Sequence, residues 1–224
     1  MDTPLTLIPV NQLDRAKGRL SALLDARQRA ELALATLTIA WQAALEVSSA
    51  VVILTADLRI PSLLGPRAVV LRESAAARGL NEQLSFATAT LIEERKLGDD
   101  SCLLILHADL PLATPHAIQA LFAAAPAPPS VTIVRSGDGG TNAMLQCPPG
   151  KLALAYGPES AARHEAAARN AGLTVAWHES PELALDLDTP ADIATLLSMP
   201  AGWTSPAGRA LAAMNIRERL GLPG

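Results

Sequence analysis

Aromatic residues make up only 3% of this 224-residue chain, although 50% of its residues are hydrophobic. A core short of aromatic bulk has to be filled by Ala, Leu, Val and Ile, with helices packed closely through small residues. Cysteine is nearly absent. Cys102 and Cys147 lack metal-ligand spacing and are too few for a disulfide framework, so both read as small core residues. A basic excess is missing as well. The formal net charge is −4, which argues against a general nucleic-acid binder and leaves small-molecule nucleotides held at a local site. No uninterrupted apolar run approaches the ~20 residues of a membrane span. The MDTPLTLIPV start lacks the basic region and longer apolar core of a signal peptide. The expectation is a soluble, cytoplasmic protein with neither membrane nor nucleic acid as partner.

What is present is an alternation of short β-rich runs with longer helical stretches. The length suits one large domain. Strands are expected at Leu5–Val10, Val51–Thr55, Ala68–Leu71, Cys102–Leu106 and Ser130–Val134. Helices are expected at Asp25–Val47, Asn81–Arg95 and Pro115–Ala125. This order predicts an α/β fold with a mostly parallel sheet and helices on both faces. The alternation then breaks. Thr141–Gln146 and Leu152–Ala155 read as short strands around a Pro-Pro-Gly turn, forming a small antiparallel wing beside the main sheet. Pro158–Ala171 reads as a helix, Thr174–Trp177 as a strand and Pro190–Met199 as a closing helix. The expected domain spans residues 1–200. A tail over 201–224 follows, with one amphipathic helix from Ser205 to Leu222.

In open α/β sheets ligands bind beyond the carboxyl ends of the strands, so the residues after each strand matter most. The first strand ends at Pro9 and leads into a loop with Arg15, Lys17 and Arg19. These suit a triphosphate, although the GxxxxGK[ST] pattern of a P-loop is absent. The fourth strand runs straight into His107-Ala108-Asp109-Leu110-Pro111, with Thr114 before Pro115 as the better helix cap. Asp109 is therefore free to act as a hard oxygen ligand for Mg²⁺. Asp138-Gly139-Gly140-Thr141-Asn142 follows the fifth strand. Its adjacent glycines allow close backbone approach to a ligand, but taken alone it reads more readily as an ordinary turn. In Tyr156-Gly157-Pro158-Glu159-Ser160, Pro158 is the expected first helical residue, placing Gly157 and Ser160 where free N–H groups favour an anion. His164 reads as a packing or surface residue. Asp186 and Asp188 stand two apart, so an extended backbone points both the same way. Such a pair repels unless a cation lies between them, and Asp109 closes the cage as in two-metal phosphoryl transfer.

The ordered set IPVNQLDRAKGRL, RGLNEQL, HADLPL, DGGTNAM, YGPESAARH and LALDLDTPAD, from Ile8 to about Leu197, closely resembles a known family. These are the guanylyltransferases that make the phospho-carboxylate precursor of the deazaflavin coenzyme F-420. The resemblance implies a single-domain nucleotidyltransferase sandwich of the glycosyltransferase-A kind. It implies GTP plus a phosphorylated three-carbon acid (phosphoenolpyruvate, 3-phosphoglycerate or 2-phospholactate), with release of pyrophosphate and a downstream transferase that uses the product. Carried over by motif, Pro9, Lys17, Arg19, Gly79, Leu80 and Asn81 would serve the nucleotide. Thr141, Asn142, Gly157 and Ser160 would hold the phospho-acid. Asp109, Asp186 and Asp188 would hold Mg²⁺, with Lys17 and Asp109 as the catalytic pair. The first loop lacks the glycine-rich pattern of sugar nucleotidyltransferases, so its grip on phosphate need not be theirs.

Two other classes compete. Asp186-x-Asp188 has the form of the metal motif of glycosyltransferases on the same fold, though its place near the end of the domain argues against that. A non-catalytic GTP-binding scaffold has only the unassigned tail in its favour. Oligomeric state stays open, a homodimer included.

Overall fold

Seven short runs pair into one sheet in a computed structural model that describes residues 3–221. In chain order they are β1 (Leu5–Pro9), β2 (Ala50–Thr55), β3 (Val69–Arg72), β4 (Leu103–Leu106), β5 (Ser130–Arg135), β6 (Thr141–Cys147) and β7 (Thr174–Trp177). Across the sheet the order is β3-β2-β1-β4-β6-β5-β7. Every neighbouring pair is parallel except the two that involve β6. The helices are α1 (Ala26–Val47), α2 (Ile60–Leu64), α3 (Gly79–Arg95), α4 (Pro115–Ala123), α5 (Ser160–Asn170), α6 (Pro181–Ala184), α7 (Pro190–Ser198), α8 (Pro200–Thr204), α9 (Pro206–Ala213) and α10 (Ile216–Arg219).

Strand periodicity divides the core. Ile8, Ile53, Leu104 and Leu106 pack on one face with Leu37, Ala40 and Trp41 of α1 and Ile118 and Leu121 of α4. Leu5, Leu7, Leu103 and Ile105 pack on the other with Leu84 and Leu91 of α3 and Ala161 and Ala168 of α5. By length and composition α1 would pass as a membrane span. Its Leu32, Leu37, Ala40, Trp41 and Ala44 are instead buried in the protein. Its start is set by a capping box in which Asp25 and Gln28 satisfy each other's backbone N–H groups.

Several local expectations are corrected. The antiparallel component is not a wing. Strand β6 lies inside the sheet between β4 and β5, and Leu152–Ala155 is not a strand. All seven residues of β6 are buried, as they must be in an interior strand covered on both faces. The β4–β6 register pairs Leu103 with Gln146, so Cys102 and Cys147 meet at the strand ends, Cα atoms 4.4 Å apart. Both are buried in the core as expected, but they form a disulfide rather than standing as separate thiols. Register between strands far apart in sequence is not written in cysteine spacing.

The tail is not one helix. Chain direction changes at Asn215, which takes a left-handed conformation (φ 53°) between α9 and α10. Leu222, the expected end of that helix, lies outside the described residues. Ala207, Leu211, Met214 and Ile216 pack against Leu20, Leu32, Leu187 and Ile193, so the tail closes a third core cluster under the loops of the site. Gly202 and Gly208 permit this. A Cβ on Gly202 would collide with the Leu196 carbonyl, and one on Gly208 with the Gly202 carbonyl.

Candidate active site

The strand order reverses between β1 and β4: β2 and β3 lie on one side, and the chain then crosses over to β4 on the other. Such a switch point opens a crevice at the carboxyl ends of its two central strands. The loop after β1 and the HADLP segment after β4 meet there. The resulting cleft of about 550 Å³ is lined by Pro9, Asn11, Lys17, Glu73, Gly79, Leu80, His107, Asp109 and Asp188, among others.

Lys17 sits in a left-handed conformation (φ 55°) between two short 3₁₀ turns, Leu13–Arg15 and Gly18–Leu20. That backbone costs a non-glycine residue roughly 1 kcal/mol, and its side-chain contacts hold it there. Lys17 Nζ donates to Asp109 Oδ2 at 2.8 Å and to Asp188 Oδ1 at 3.1 Å, while its side chain is only 5% exposed. Burial alone would lower the ammonium's pKa, but the two carboxylates outweigh burial and raise it. Lys17 is therefore a fixed positive charge. Arg19 approaches the other Asp188 oxygen at 3.9 Å and is mostly exposed.

Asp186 and Asp188 lie in the irregular segment before α7. Leu187 between them is buried, and its N–H donates to the Asp109 carbonyl at 3.2 Å. That bond ties the two segments together and leaves both aspartates on the cleft side. Oxygen atoms of Asp109, Asp186 and Asp188 all lie within 4.8 Å of one another. Asp188 does not cap α7. Thr189 does, in a capping box with Asp192.

Burial opposes ionisation of Asp109, but Lys17 and His107 outweigh it and hold the carboxyl below its ordinary range. Asp186 goes the other way, pushed up to about 7 by burial and by the Asp109 and Asp188 charges. Asp109 Oδ1 is buried without a hydrogen-bond partner. Three converging carboxylates, one of them with a buried oxygen that lacks a partner, are the donor set that a hard divalent cation satisfies, and the Lys17 ammonium offsets part of their charge.

Beside this cluster, Asn142 Nδ2 donates to the Ala184 carbonyl at 2.9 Å and lies 3.5 Å from Asp186 Oδ1, bracing the LDLD segment. Thr141 Oγ1 accepts from Ser160 Oγ at 3.1 Å and lies 3.0 Å from His164 Nδ1. The Ala155 N–H donates to His164 Nε2 at 2.9 Å. Nε2 is thus the acceptor, so Nδ1 carries the proton and donates to Thr141. Burial holds His164 neutral, down to about 4, with Arg163 and His107 adding to the effect. Thr141 then accepts twice, which leaves its own O–H free to donate.

Helix α5 begins at Ser160 and not at Pro158, because Glu159 before it is left-handed (φ 52°). The N–H groups there are not all free. Ser160 N donates to Gly157 O and Ala161 N to Gly139 O. Gly157 (φ 123°) and Gly139 (φ 88°) both need glycine's backbone freedom in these turns.

Of the residues singled out from sequence, Pro9, Lys17, Gly79, Leu80, Asp109 and Asp188 line the cleft. Asp186 joins them through the carboxylate cluster. Beside it, Thr141 and Ser160 are hydrogen-bonded to each other, and Asn142 is bonded to the LDLD segment. The amide of Asn81 is committed to the backbone of Tyr156, donating to its carbonyl and accepting its N–H. Asn81 thus ties the start of α3 to the YGPES loop.

Sequence reasoning passed over three residues. His107, inside HADLP, lines the cleft with a buried, unpartnered Nε2 and stacks on Tyr156 with ring centroids 5.2 Å apart. Asp57 accepts from the Leu13 N–H and from Arg59, anchoring the loop after β1. An aspartate two residues past a strand was a weak signal for that anchor. Glu73, just past β3, also lines the cleft.

Comparison with known proteins points the same way. The family described as guanylyl transferase CofC like matches residues 5–205. A phosphoenolpyruvate guanylyltransferase of Sphaerobacter thermophilus is 36% identical over 208 residues, covering 91% of this chain and 97% of that protein. One from Rubrobacter xylanophilus is 36% identical, covering 85% and 91%. Among solved structures, one described as a nucleotide-diphospho-sugar transferase from Desulfovibrio desulfuricans superposes with a TM-score of 0.78 at 18% identity, covering 98% of this chain and 99% of that one. A 4-diphosphocytidyl-2C-methyl-D-erythritol synthase gives 0.57 at 16% identity, covering 88% and 97%. These two share the fold. With a cleft at the switch point, a fixed lysine and three converging aspartates, the chain belongs to the CofC-like guanylyltransferase family, the nucleotidyltransferases whose matched segment runs through every part of this site.

Proposed function

We propose that the protein transfers GMP from GTP to phosphoenolpyruvate, releasing pyrophosphate, in deazaflavin coenzyme F-420 biosynthesis. The observation that carries this is the meeting of Lys17 with Asp109, Asp186 and Asp188 in the switch-point cleft. The naming of relatives at 36% identity as phosphoenolpyruvate guanylyltransferases supports phosphoenolpyruvate as the acid. An oxygen of the acid's phosphate attacks the α-phosphorus of GTP in line. A new P–O–P bond forms, the α–β bridge breaks and pyrophosphate leaves with the electron pair. The attacking phosphate is already ionised, so no strong general base is required, and the work is positioning and charge neutralisation.

Lys17 and Arg19 neutralise the triphosphate. The apolar wall at Pro9, Gly79 and Leu80 receives the nucleoside, and Asn81 holds the facing loop. Thr141, with its free O–H, and Ser160 beside Gly157 hold the acid. Asn142 keeps the LDLD segment in place. Asp109, Asp186 and Asp188 hold Mg²⁺, which supplies charge neutralisation at the reacting phosphates. A downstream transferase takes the guanylyl-diphospho product.

The test is pyrophosphate release by purified protein with GTP and Mg²⁺, given phosphoenolpyruvate, 2-phospholactate or 3-phosphoglycerate in turn. Release with phosphoenolpyruvate well above the other two supports the proposal. Release with none of them refutes guanylyl transfer, and preference for another acid refutes the choice of substrate.

A further inference from the structure

Opposite the aspartates, the cleft ends at Glu73, Ala77, Gly79, Leu80 and Gln83. Gln83 looks suited to reading a base, but its amide is spent. Gln83 Oε1 accepts the Ser74 N–H at 2.9 Å, and Nε2 donates to the Ser74 and Ala77 carbonyls at 2.8 and 3.0 Å. It is a clip that shapes the loop after β3. Glu73 differs. It is half-buried, and only its backbone N–H is anchored, to the Thr55 carbonyl. Among the described residues no side chain pairs with its carboxylate: Arg72 donates to the Asp57 carbonyl, and Arg59 pairs with Asp57 and Asp14. The Glu73 carboxylate is therefore free to accept hydrogen bonds in the cleft.

We propose that Glu73 is the residue that selects guanine, accepting N1–H and the N2 amino group with its two carboxylate oxygens. This rests on GTP being the nucleotide of the cleft. Strands β3, β2, β1 and β4 are consecutive neighbours, so Glu73 and Asp109 stand three strand spacings apart, roughly 14 Å. That is comparable with a nucleotide from base edge to phosphate. A lone carboxylate repels the triphosphate, so the end of the cleft that holds it takes the uncharged base. Guanine presents two parallel donors on one edge, the pattern a carboxylate matches bidentately. Adenine offers an acceptor at N1 and lacks the amino group at C2, so it leaves the carboxylate desolvated and unpaired. Hypoxanthine keeps N1–H but lacks the amino group.

Calorimetric binding of GTP, ITP, ATP and 2′-deoxy-GTP with Mg²⁺, to wild type, Glu73→Gln and Glu73→Ala, tests this. Wild type is expected to favour GTP over ITP by about 10-fold or more, the discrimination typical of a bidentate base contact. Both variants are expected to lose most of that preference, with the ratio of GTP to 2′-deoxy-GTP unchanged. Equal binding of GTP and ITP by wild type overturns the proposal whatever the variants do. So does a variant that keeps the wild-type ranking, or one whose loss disappears with 2′-deoxy-GTP, which would place the carboxylate on the ribose. Failure of the proposed reaction shows separately, as no product from GTP and phosphoenolpyruvate. Failure of this inference shows as an unchanged base ranking with product still formed.

Discussion

Asp186 occupies a place in the fold that is costly without a cation. Burial and the neighbouring Asp109 and Asp188 charges push its carboxyl up to about 7, with one ammonium, Lys17, to serve the cluster. Asp186→Asn removes a repelling charge while keeping the shape. With a chelator present, its melting temperature should rise by a few degrees, and product formation should be lost. A variant that melts lower than wild type under chelation would show that the cluster is not electrostatically frustrated. His164 gives a pH-dependent prediction. Its folded pKa is depressed to about 4, so its contribution is full above the unfolded value near 6.5 and declines as pH falls from there toward 4. The stability advantage of wild type over His164→Gln should shrink across that window by up to roughly 3 kcal/mol. Denaturant titrations at pH 7 and pH 4.5 measure it, and a constant difference would contradict the assignment of a neutral, Thr141-donating imidazole.

Among the elements, the short helices α7, α8 and α9 depend on close approach. Gly202 and Gly208 leave no room for a Cβ against the carbonyls of Leu196 and Gly202. Backbone cannot yield as a flexible side chain does, so Gly208→Ala should destabilise by about 1–3 kcal/mol, as overpacking does. A urea midpoint within error of wild type would show that the helices can slide apart. The same packing joins the tail to the site. Leu187, between the two metal-facing aspartates, is buried with Leu211 and Ile216. Cysteine pairing, the interior place of β6 and the break at Asn215 belong to this scale, and none was legible. Each depends on register or on helix–helix contact between segments whose local sequence is compatible with either outcome.

At the scale of the whole molecule, strand-helix alternation carried most of the fold. The first five strands and the helices expected at Asp25–Val47, Asn81–Arg95 and Pro115–Ala125 match to within a few residues, helped by caps such as Asp25 and Thr114-Pro115, whereas the short α2 after the second strand was not expected. Asp109 was legible because a carboxylate just past a buried strand reaches the rim of the sheet, and Asp186 and Asp188 because two carboxylates two residues apart repel unless a cation lies between them. Glu73, Asp57 and His107 were not. They gain meaning from the sheet order β3-β2-β1-β4, which sets loops side by side that lie far apart in the chain. Asp109 is the point where the parts meet: it lies in the turn just past the fourth strand, accepts from Lys17, fixes Leu187 through its carbonyl and keeps one buried oxygen unpartnered. Pyrophosphate release from GTP and phosphoenolpyruvate by Asp109→Asn, with Mg²⁺ saturating, is therefore the deciding measurement. Loss of activity by on the order of 10³-fold is predicted, the size expected when an electrostatic contact to the reacting centre is removed, with melting within a few degrees of wild type. Undiminished turnover in that variant would contradict a metal-assisted transfer at this cluster.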